Sequence, residues 1–120
     1  MKNMTFDKKE LDYILDGLSS VKTNYQVNMI HFGRNWKTLE QSNEVGLLME
    51  KIKNIESISF DKLDDKELDY IQSGLYGRQQ SYGGGYFPHE DKVKYKHFKN
   101  VRSIIEKVEG EQKKGEQNEE

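Results

Sequence analysis

The segment DKKELDYILDGL at residues 7–18 returns as DDKELDYIQSGL at residues 64–75, with nine of the twelve positions identical. A second pair of segments, VGLLMEKI at 45–52 and VRSIIEKV at 101–108, matches in its pattern of apolar and charged residues. The first pair is separated by 57 residues and the second by 56. Two matches in the same order at nearly the same separation indicate a duplicated unit rather than a chance similarity.

Each copy of the first segment carries the signals that begin an α-helix. Asp7 is placed to accept hydrogen bonds from the amides of the first turn, and Glu10 can reach back to complete a capping box. Phe6, just before the helix, can pack on Leu11 just inside it. The second copy has the same arrangement in Leu63, Asp64, Glu67 and Leu68.

Apolar residues then recur every three or four positions, as one face of an α-helix requires. The stripe of the first copy comprises Leu11, Ile14, Leu18, Val21, Tyr25 and Met29. It predicts a helix from about residue 8 to about residue 31. In the second copy, glycines at 74, 77 and 83–85 interrupt the stripe, so a shorter helix is predicted.

The later half of each unit predicts a returning helix. Its apolar stripe comprises Val45, Leu48, Met49, Ile52 and Ile55 in the first unit, and Phe98, Val101, Ile104, Ile105 and Val108 in the second. We therefore expect an all-α fold in which two tandem helix-loop-helix repeats of about 56–57 residues share one four-helix core. The repeats span about 5–58 and 61–109 of a single domain at residues 1–110, and Ile58 and Phe60 of the connector help to close the core.

The last ten residues, 111–120, contain no apolar side chain. A segment that cannot bury apolar surface cannot offset the entropy lost on ordering. Residues 111–120 are therefore predicted to form a disordered acidic tail.

Two glycines and two tyrosines recur at equivalent positions of the repeats. Glycine inside a helix costs about 1 kcal/mol relative to alanine, so Gly17 and Gly74 favour a close helix-helix approach or a local helix stop over a ligand contact. Tyr13 and Tyr70 adjoin the apolar stripe and are predicted to be packing residues with a solvated hydroxyl, rather than catalytic groups.

Composition restricts the functional class. The 120 residues are 33% charged and 33% hydrophobic, enough for one modest core. The net charge of −2 comes from the last ten residues, because residues 1–110 carry 17 basic and 17 acidic side chains, which argues against a general polyanion binder. The absence of cysteine excludes disulfides, thiolate metal sites and cysteine nucleophiles. No apolar leader or membrane span is present in the sequence, and a cytoplasmic protein without membrane contact is expected.

The loops of the two repeats differ, and both are rich in aromatic residues. If the hairpins lie parallel, these loops share one end of the molecule and form a candidate partner-binding surface, because Trp, Tyr and Arg are enriched at interfaces. The candidate residues are His31, Phe32, Arg34, Trp36, Tyr86, Phe87 and His89. The alternative is that these aromatic side chains only close the open end of the helical core.

No pattern in the sequence points to catalysis. Three histidines occur among many carboxylates, but the spacings of metalloproteases, nucleophile elbows, phosphate-binding loops and EF-hands are all missing. We therefore expect a protein that is not an enzyme and that uses no metal and no cofactor. The glycines at 83–85 are interpreted as a flexible loop.

A basic segment supports an alternative function in nucleic-acid binding. Its residues are Lys92, Lys94, Lys96, Lys99 and Arg102, which we call the basic strip. Lysines and arginines on one helical face can contact phosphates. An acidic run between residues 61 and 69 can instead neutralise the strip within the molecule.

The chain resembles the small, Lys-, Glu- and Asn-rich helical proteins encoded by phages and mobile elements of low-GC Gram-positive bacteria. The resemblance lies in size, composition and openings such as KELDYI at residues 9–14. Many proteins of that kind act stoichiometrically on a host protein as inhibitors or adaptors, which is what the resemblance implies for this chain.

The function expected from the sequence is that of a non-catalytic binding protein whose partner is another protein, with the chain a monomer or a homodimer. Nucleic-acid binding through the basic strip is the first alternative. A sink for a small ligand, held in the loops or at a dimer interface, is the second.

Overall fold

The computed structural model describes residues 4–33, 35–82 and 92–118. Its helices are α1 (Lys8–Phe32), α2 (Trp36–Ile52), α3 (Asp65–Ser81) and α4 (Lys92–Asn118), and its strands are β1 (Thr5–Asp7) and β2 (Ser57–Ser59). A 3₁₀ turn at Phe60–Lys62 connects β2 to α3. The four helices pack together, which confirms the predicted all-α arrangement of two helix-loop-helix repeats.

Both predicted capping boxes are formed. The Asp7 side chain accepts a hydrogen bond from the Glu10 amide at 2.9 Å, and the Glu10 side chain accepts one from the Asp7 amide at 3.0 Å. Asp64 and Glu67 repeat the arrangement at 2.8 and 3.0 Å. These caps satisfy amides that have no partner within the helix, so α1 and α3 begin where the sequence predicts. The 17 residues of α3, against 25 in α1, confirm that the second helix is shorter.

A two-stranded antiparallel sheet, which the sequence did not predict, joins the N-terminus to the connector. Phe6 pairs with Ile58 in the register of β1 and β2. The rings of Phe6 and Phe60 lie 4.4 Å apart between centroids, and both are buried. Burial of Ile58 and Phe60 confirms that the connector closes the core.

One cluster of buried side chains lies between the helices and the sheet. It includes the predicted stripe residues Leu11, Ile14, Leu18, Val45, Leu48, Ile52, Leu68, Ile71, Leu75, Val101, Ile104, Ile105 and Val108. Each repeat contributes one face of each of its helices to this cluster, so neither hairpin buries its apolar face alone.

The two glycines that recur in the sequence mark the contact between α1 and α3. A β-carbon added to Gly17 would lie 2.7 Å from the carbonyl carbon of Gly74, and one added to Gly74 would lie 2.7 Å from that of Gly17. The two backbones can approach this closely only because each glycine has a hydrogen atom in place of a side chain. The close helix-helix approach predicted for Gly17 and Gly74 is therefore confirmed.

Lysines late in the second helix of each repeat cross to the other repeat. Lys51 of α2 binds Glu67 of α3 at 3.0 Å, and Lys107 of α4 binds Glu10 of α1 at 2.9 Å. Lys51 also donates to the carbonyl of Lys62 at 2.6 Å, and Lys107 donates to that of Thr5. Each capping glutamate is thus held by the other repeat, which ties each of these helix starts to the second helix of the other repeat.

The helical backbone of α4 continues to Asn118, eight residues into the segment predicted as a disordered tail. Glu, Gln and Lys, which make up most of this segment, are good helix formers. They allow the helical backbone to continue without an apolar face.

Candidate functional site

The turn between α1 and α2 is shorter than the sequence suggests. Gly33, at φ 85°, ends α1 in a conformation that favours glycine. Asn35 caps α2, and its side chain accepts a hydrogen bond from the Lys37 amide at 2.8 Å. Phe32 is therefore the last residue of α1 and Trp36 the first of α2, so both aromatic side chains are held on helix ends.

The end of this hairpin exposes large apolar side chains. Trp36 is 86% exposed, Phe32 85% and Ile30 79%, and Val27 is also exposed. We call these four residues the α1–α2 tip. They are half of the eight large apolar or aromatic side chains exposed in the described part of the chain. Exposed large apolar side chains concentrated in one part of a small protein mark a candidate interaction site.

The tip lies beyond the core. None of the described residues between 19 and 41 is buried; Leu18 of α1 and Ser42 of α2 are the nearest buried positions. The side chains of the tip therefore contribute little to the packed interior, and substitutions there are expected to leave folding intact.

The sequence around the tip contains no carboxylate. Residues 17–39 include Lys22, His31, Arg34 and Lys37 but no aspartate or glutamate. The tip is therefore an apolar surface in a stretch that carries three cationic side chains, Lys22, Arg34 and Lys37, and no carboxylate.

Three of the seven predicted partner-binding residues lie at this end of the α1–α2 hairpin. His31 and Phe32 have rings 6.4 Å apart in an edge-on arrangement, and Trp36 follows across the turn. Phe32 and Trp36 do not close the core, because both are more than four-fifths exposed. The other four predicted residues, Arg34, Tyr86, Phe87 and His89, lie outside the described residues, so the joining of the two loops stays a prediction.

Sequence reasoning missed Val27 and Ile30. Val27 falls between Tyr25 and Met29 of the apolar stripe and Ile30 follows Met29, so neither continues the stripe and both belong to a different face of α1. Their spacing of three residues places them on one side of the helix. The sequence did contain a signal for this exposed surface, because large apolar residues occur outside the stripe that forms the core.

Three further kinds of evidence bear on function: metal-binding clusters, membrane-spanning helices and similarity to known proteins. Among the residues that the structure describes, no group of three or more His, Asp or Glu side chains is arranged to hold a metal ion. The described helices include none with the length and apolar character to cross a membrane. Comparison with protein-family models, curated proteins and solved structures finds no match.

The side chains of the basic strip on α4 are exposed but differ in their partners. Lys99 lies over the Tyr95 ring at 5.0 Å, and Arg102 pairs with Glu106 at 3.4 Å. Lys92 and Lys96 form no ion pair with any residue of the described ranges. Three of the five cations, Lys92, Lys96 and Lys99, thus have no ion pair within the described ranges.

The acidic run does not neutralise Lys92 and Lys96. Its Glu67 is held by Lys51, and Asp64 caps α3. The remaining acidic side chains of the run are Asp61, Asp65 and Asp69, which form no ion pair within the described ranges.

The recurring tyrosines lie in two equivalent surface grooves. In the first, which we call the Glu44 groove, the Tyr70 hydroxyl donates to Glu44 at 2.5 Å, and Lys66 binds the same carboxylate at 2.8 Å. Hydrogen bonds from Lys66 and then from Tyr70 lower the pKa of Glu44. Burial, and then the bond to Glu44, raise the pKa of Tyr70.

In the second, the Asn100 groove, the Tyr13 hydroxyl lies 2.7 Å from His97 Nδ1 and accepts a hydrogen bond from the Asn100 amide at 2.9 Å. Tyr82 stacks on His97 with centroids 5.3 Å apart. Tyr13 and Tyr70 are packing residues as predicted, but their hydroxyls bond to a neighbouring helix instead of to solvent alone.

Tyr70→Phe is expected to raise the pKa of Glu44 toward its ordinary value, because one hydrogen bond to the ionised carboxylate is lost. In the folded protein that pKa is depressed. The stabilisation from ionised Glu44 is therefore present above its unfolded-state pKa and is lost as the pH falls through the folded-state value. NMR titration of the Glu44 carboxyl carbon measures the shift. Tyr13→Phe is the control, and equal Glu44 pKa values in wild type and Tyr70→Phe would contradict the assignment.

Proposed function

We propose that this chain is a non-catalytic binding protein that acts on a partner protein, as an inhibitor or adaptor, through the α1–α2 tip. The observation that carries the proposal is the exposure of Trp36 and Phe32 at the ends of α2 and α1 that meet at the turn, outside the core. Aromatic side chains have only two χ angles, so they offer a large contact area at a low cost in conformational entropy when they bind. The resemblance to phage and mobile-element proteins supports a host protein as the target.

The partner surface that suits this tip is an apolar pocket with carboxylates at its rim. The apolar part follows from Val27, Ile30, Phe32 and Trp36, whose exposed area is recovered only when another molecule covers it. The acidic rim follows from the absence of carboxylates in residues 17–39, because complementary charge speeds association and opposes wrong partners.

Trp36→Ala is expected to weaken the complex by about 2 kcal/mol or more, roughly thirtyfold in the dissociation constant, as for a central hot-spot tryptophan. Its melting temperature is expected to stay close to that of wild type, since Trp36 is 86% exposed. Binding and thermal unfolding measured on the same preparation separate the two effects. Leu47→Ala is the matched control, because Leu47 is an exposed apolar residue of α2 away from the turn.

The experiment is a tagged pull-down from lysate of the source organism, with and without nuclease and at two salt concentrations. The proposal predicts one stoichiometric protein that wild type and Leu47→Ala capture and Trp36→Ala does not. Capture that is independent of Trp36, or that is lost with nuclease, would contradict it. Retention of the wild-type chain by anionic lipid vesicles, again dependent on Trp36, would assign the tip to a membrane surface instead.

A nucleic-acid accessory protein is the second candidate, supported by Lys92 and Lys96 of the basic strip, which form no ion pair with a described residue. Charge reversal at Lys96 and Lys99 is expected to abolish such a complex, and wild-type binding is expected to fall steeply with salt. The pairing of Arg102 with Glu106 weakens this candidate, because it removes the cation at one end of the basic strip.

A further inference from the structure

The two grooves occupy equivalent positions of the duplicated fold. Each lies between the start of one repeat's first helix and the second helix of the other repeat. At separations of 56 and 57 residues, Glu44 corresponds to Asn100, Lys66 to Lys9, and Tyr70 to Tyr13. The molecule therefore contains two versions of one site. Comparing them shows which charged groups in each groove lack a partner.

The Glu44 groove satisfies its own charges. Glu44 binds both the Lys66 ammonium group at 2.8 Å and the Tyr70 hydroxyl at 2.5 Å. Hydrogen bonding to Glu44 raises the pKa of Lys66, as a matched pair requires. No charge within this trio is left over for a ligand.

The Asn100 groove lacks the carboxylate. Asn100 still bonds to the tyrosine, but a neutral amide cannot balance Lys9, which forms no ion pair within the described ranges. Lys92 and Lys96 line the same groove and also form no ion pair with a described residue. Three ammonium groups therefore line one cavity of about 470 Å³ and have no counterion among residues 4–33, 35–82 and 92–118.

The acidic groups that line the described part of the Asn100 groove already have partners. Asp7 and Glu10, at the edge of the Asn100 groove, form the capping box of α1. Glu10 is also held by Lys107 at 2.9 Å. Neither pairs with Lys9, Lys92 or Lys96 among the described contacts.

We infer that the Asn100 groove binds the phosphate group of a small phosphorylated molecule. Lysines supply the charge that a phosphate requires, and the Asn100 amide and the polar atoms of Tyr13 and His97 lie beside them to orient it. A compact ligand is favoured over a nucleic-acid strand, because the free cations converge on one cavity while Arg102 farther along α4 is paired. The site is separate from the α1–α2 tip and does not depend on the proposed function.

The test titrates the full chain with inorganic phosphate, pyrophosphate and adenosine monophosphate, and separately with single-stranded oligonucleotides of increasing length. Two-dimensional NMR follows the side chains of Tyr13, His97 and Asn100. The inference predicts saturable shifts confined to this groove. Lys9→Gln and Lys96→Gln are each expected to weaken binding about tenfold, the loss of one charge-assisted hydrogen bond.

Asn100→Glu tests the comparison between the grooves directly, because it recreates the glutamate of the equivalent position. The new carboxylate is expected to pair with Lys9 and to abolish phosphate binding. Lys66→Gln, in the Glu44 groove, is the matched control and is expected to bind phosphate like wild type. If Asn100→Glu does not fold, Lys9→Gln and Lys96→Gln still test the inference. Both side chains are exposed, so their replacement is expected to leave folding intact.

Three results would overturn the inference. The first is the absence of a saturable shift with any of the three phosphate probes. The second is binding that survives both Lys9→Gln and Lys96→Gln. The third is an affinity for oligonucleotides that rises with their length and exceeds that for the small phosphates, which would assign the groove to nucleic acid.

Discussion

Gly74→Val is expected to lower the free energy of unfolding by about 3 kcal/mol, the upper part of the range for overpacked interiors. A β-carbon at this position meets the carbonyl carbon of Gly17 at 2.7 Å and the amide nitrogen of Leu18 at 3.0 Å. Both are backbone atoms, so relief requires α1 and α3 to separate. That separation would loosen the core on both sides of the contact.

Gly77→Val is the matched control in the same helix. An added β-carbon at Gly77 has no atom within 4 Å, and the residue is exposed. Its expected effect is within about 0.5 kcal/mol, because valine and glycine differ little in helix propensity. Urea unfolding followed by circular dichroism measures both variants. Equal stabilities for the two would show that the α1–α3 contact is not the one described.

Phe6→Ala is expected to cost about 3–4 kcal/mol, as for other fully buried phenylalanines. Phe6 has no exposed surface, and its ring packs on Phe60 with centroids 4.4 Å apart. Through β1 and β2, it also anchors the N-terminal strand to the connector.

Phe32→Ala provides the contrast for Phe6→Ala, because it is the same substitution at a side chain that is 85% exposed. It is expected to change stability by less than about 0.5 kcal/mol. Thermal unfolding of the two variants side by side checks both values. A large loss of stability for Phe32→Ala would place the α1–α2 tip in the core and remove the basis for a binding surface.

The helices were predictable because their signals are local. The capping boxes at Asp7 and Asp64 and the three-to-four spacing of apolar residues act within a few turns of one helix. The glycines were predictable for another reason: Gly17 and Gly74 recur although they are unfavourable in a helix, and such a cost indicates a packing requirement.

The sheet and the crossed lysines were not predictable from local pattern. Strands of three residues are too short to show alternation, and β1 meets β2 across more than fifty residues. The contacts of Lys51 with Glu67 and of Lys107 with Glu10 depend on how the repeats pack, which a single sequence does not specify.

For the candidate site, the sequence supplied residue types but not their exposure. Aromatic residues near a turn fit either a core cap or a binding surface, and only the projection of the hairpin beyond Leu18 distinguishes them. The Asn100 groove was missed because its parts, Lys9 and Lys96, are far apart in sequence and are ordinary on a helix surface.

The fluorescence of Trp36 tests the central claim most directly, because it is the only tryptophan in the sequence and lies at the tip. For the isolated chain we predict the red-shifted emission and ready quenching of a solvated indole. With the protein captured in the pull-down, we predict a blue shift and protection from quenching in wild type and in Leu47→Ala. Emission from Trp36 that is unchanged in a saturated complex would contradict the claim that the α1–α2 tip is the binding surface.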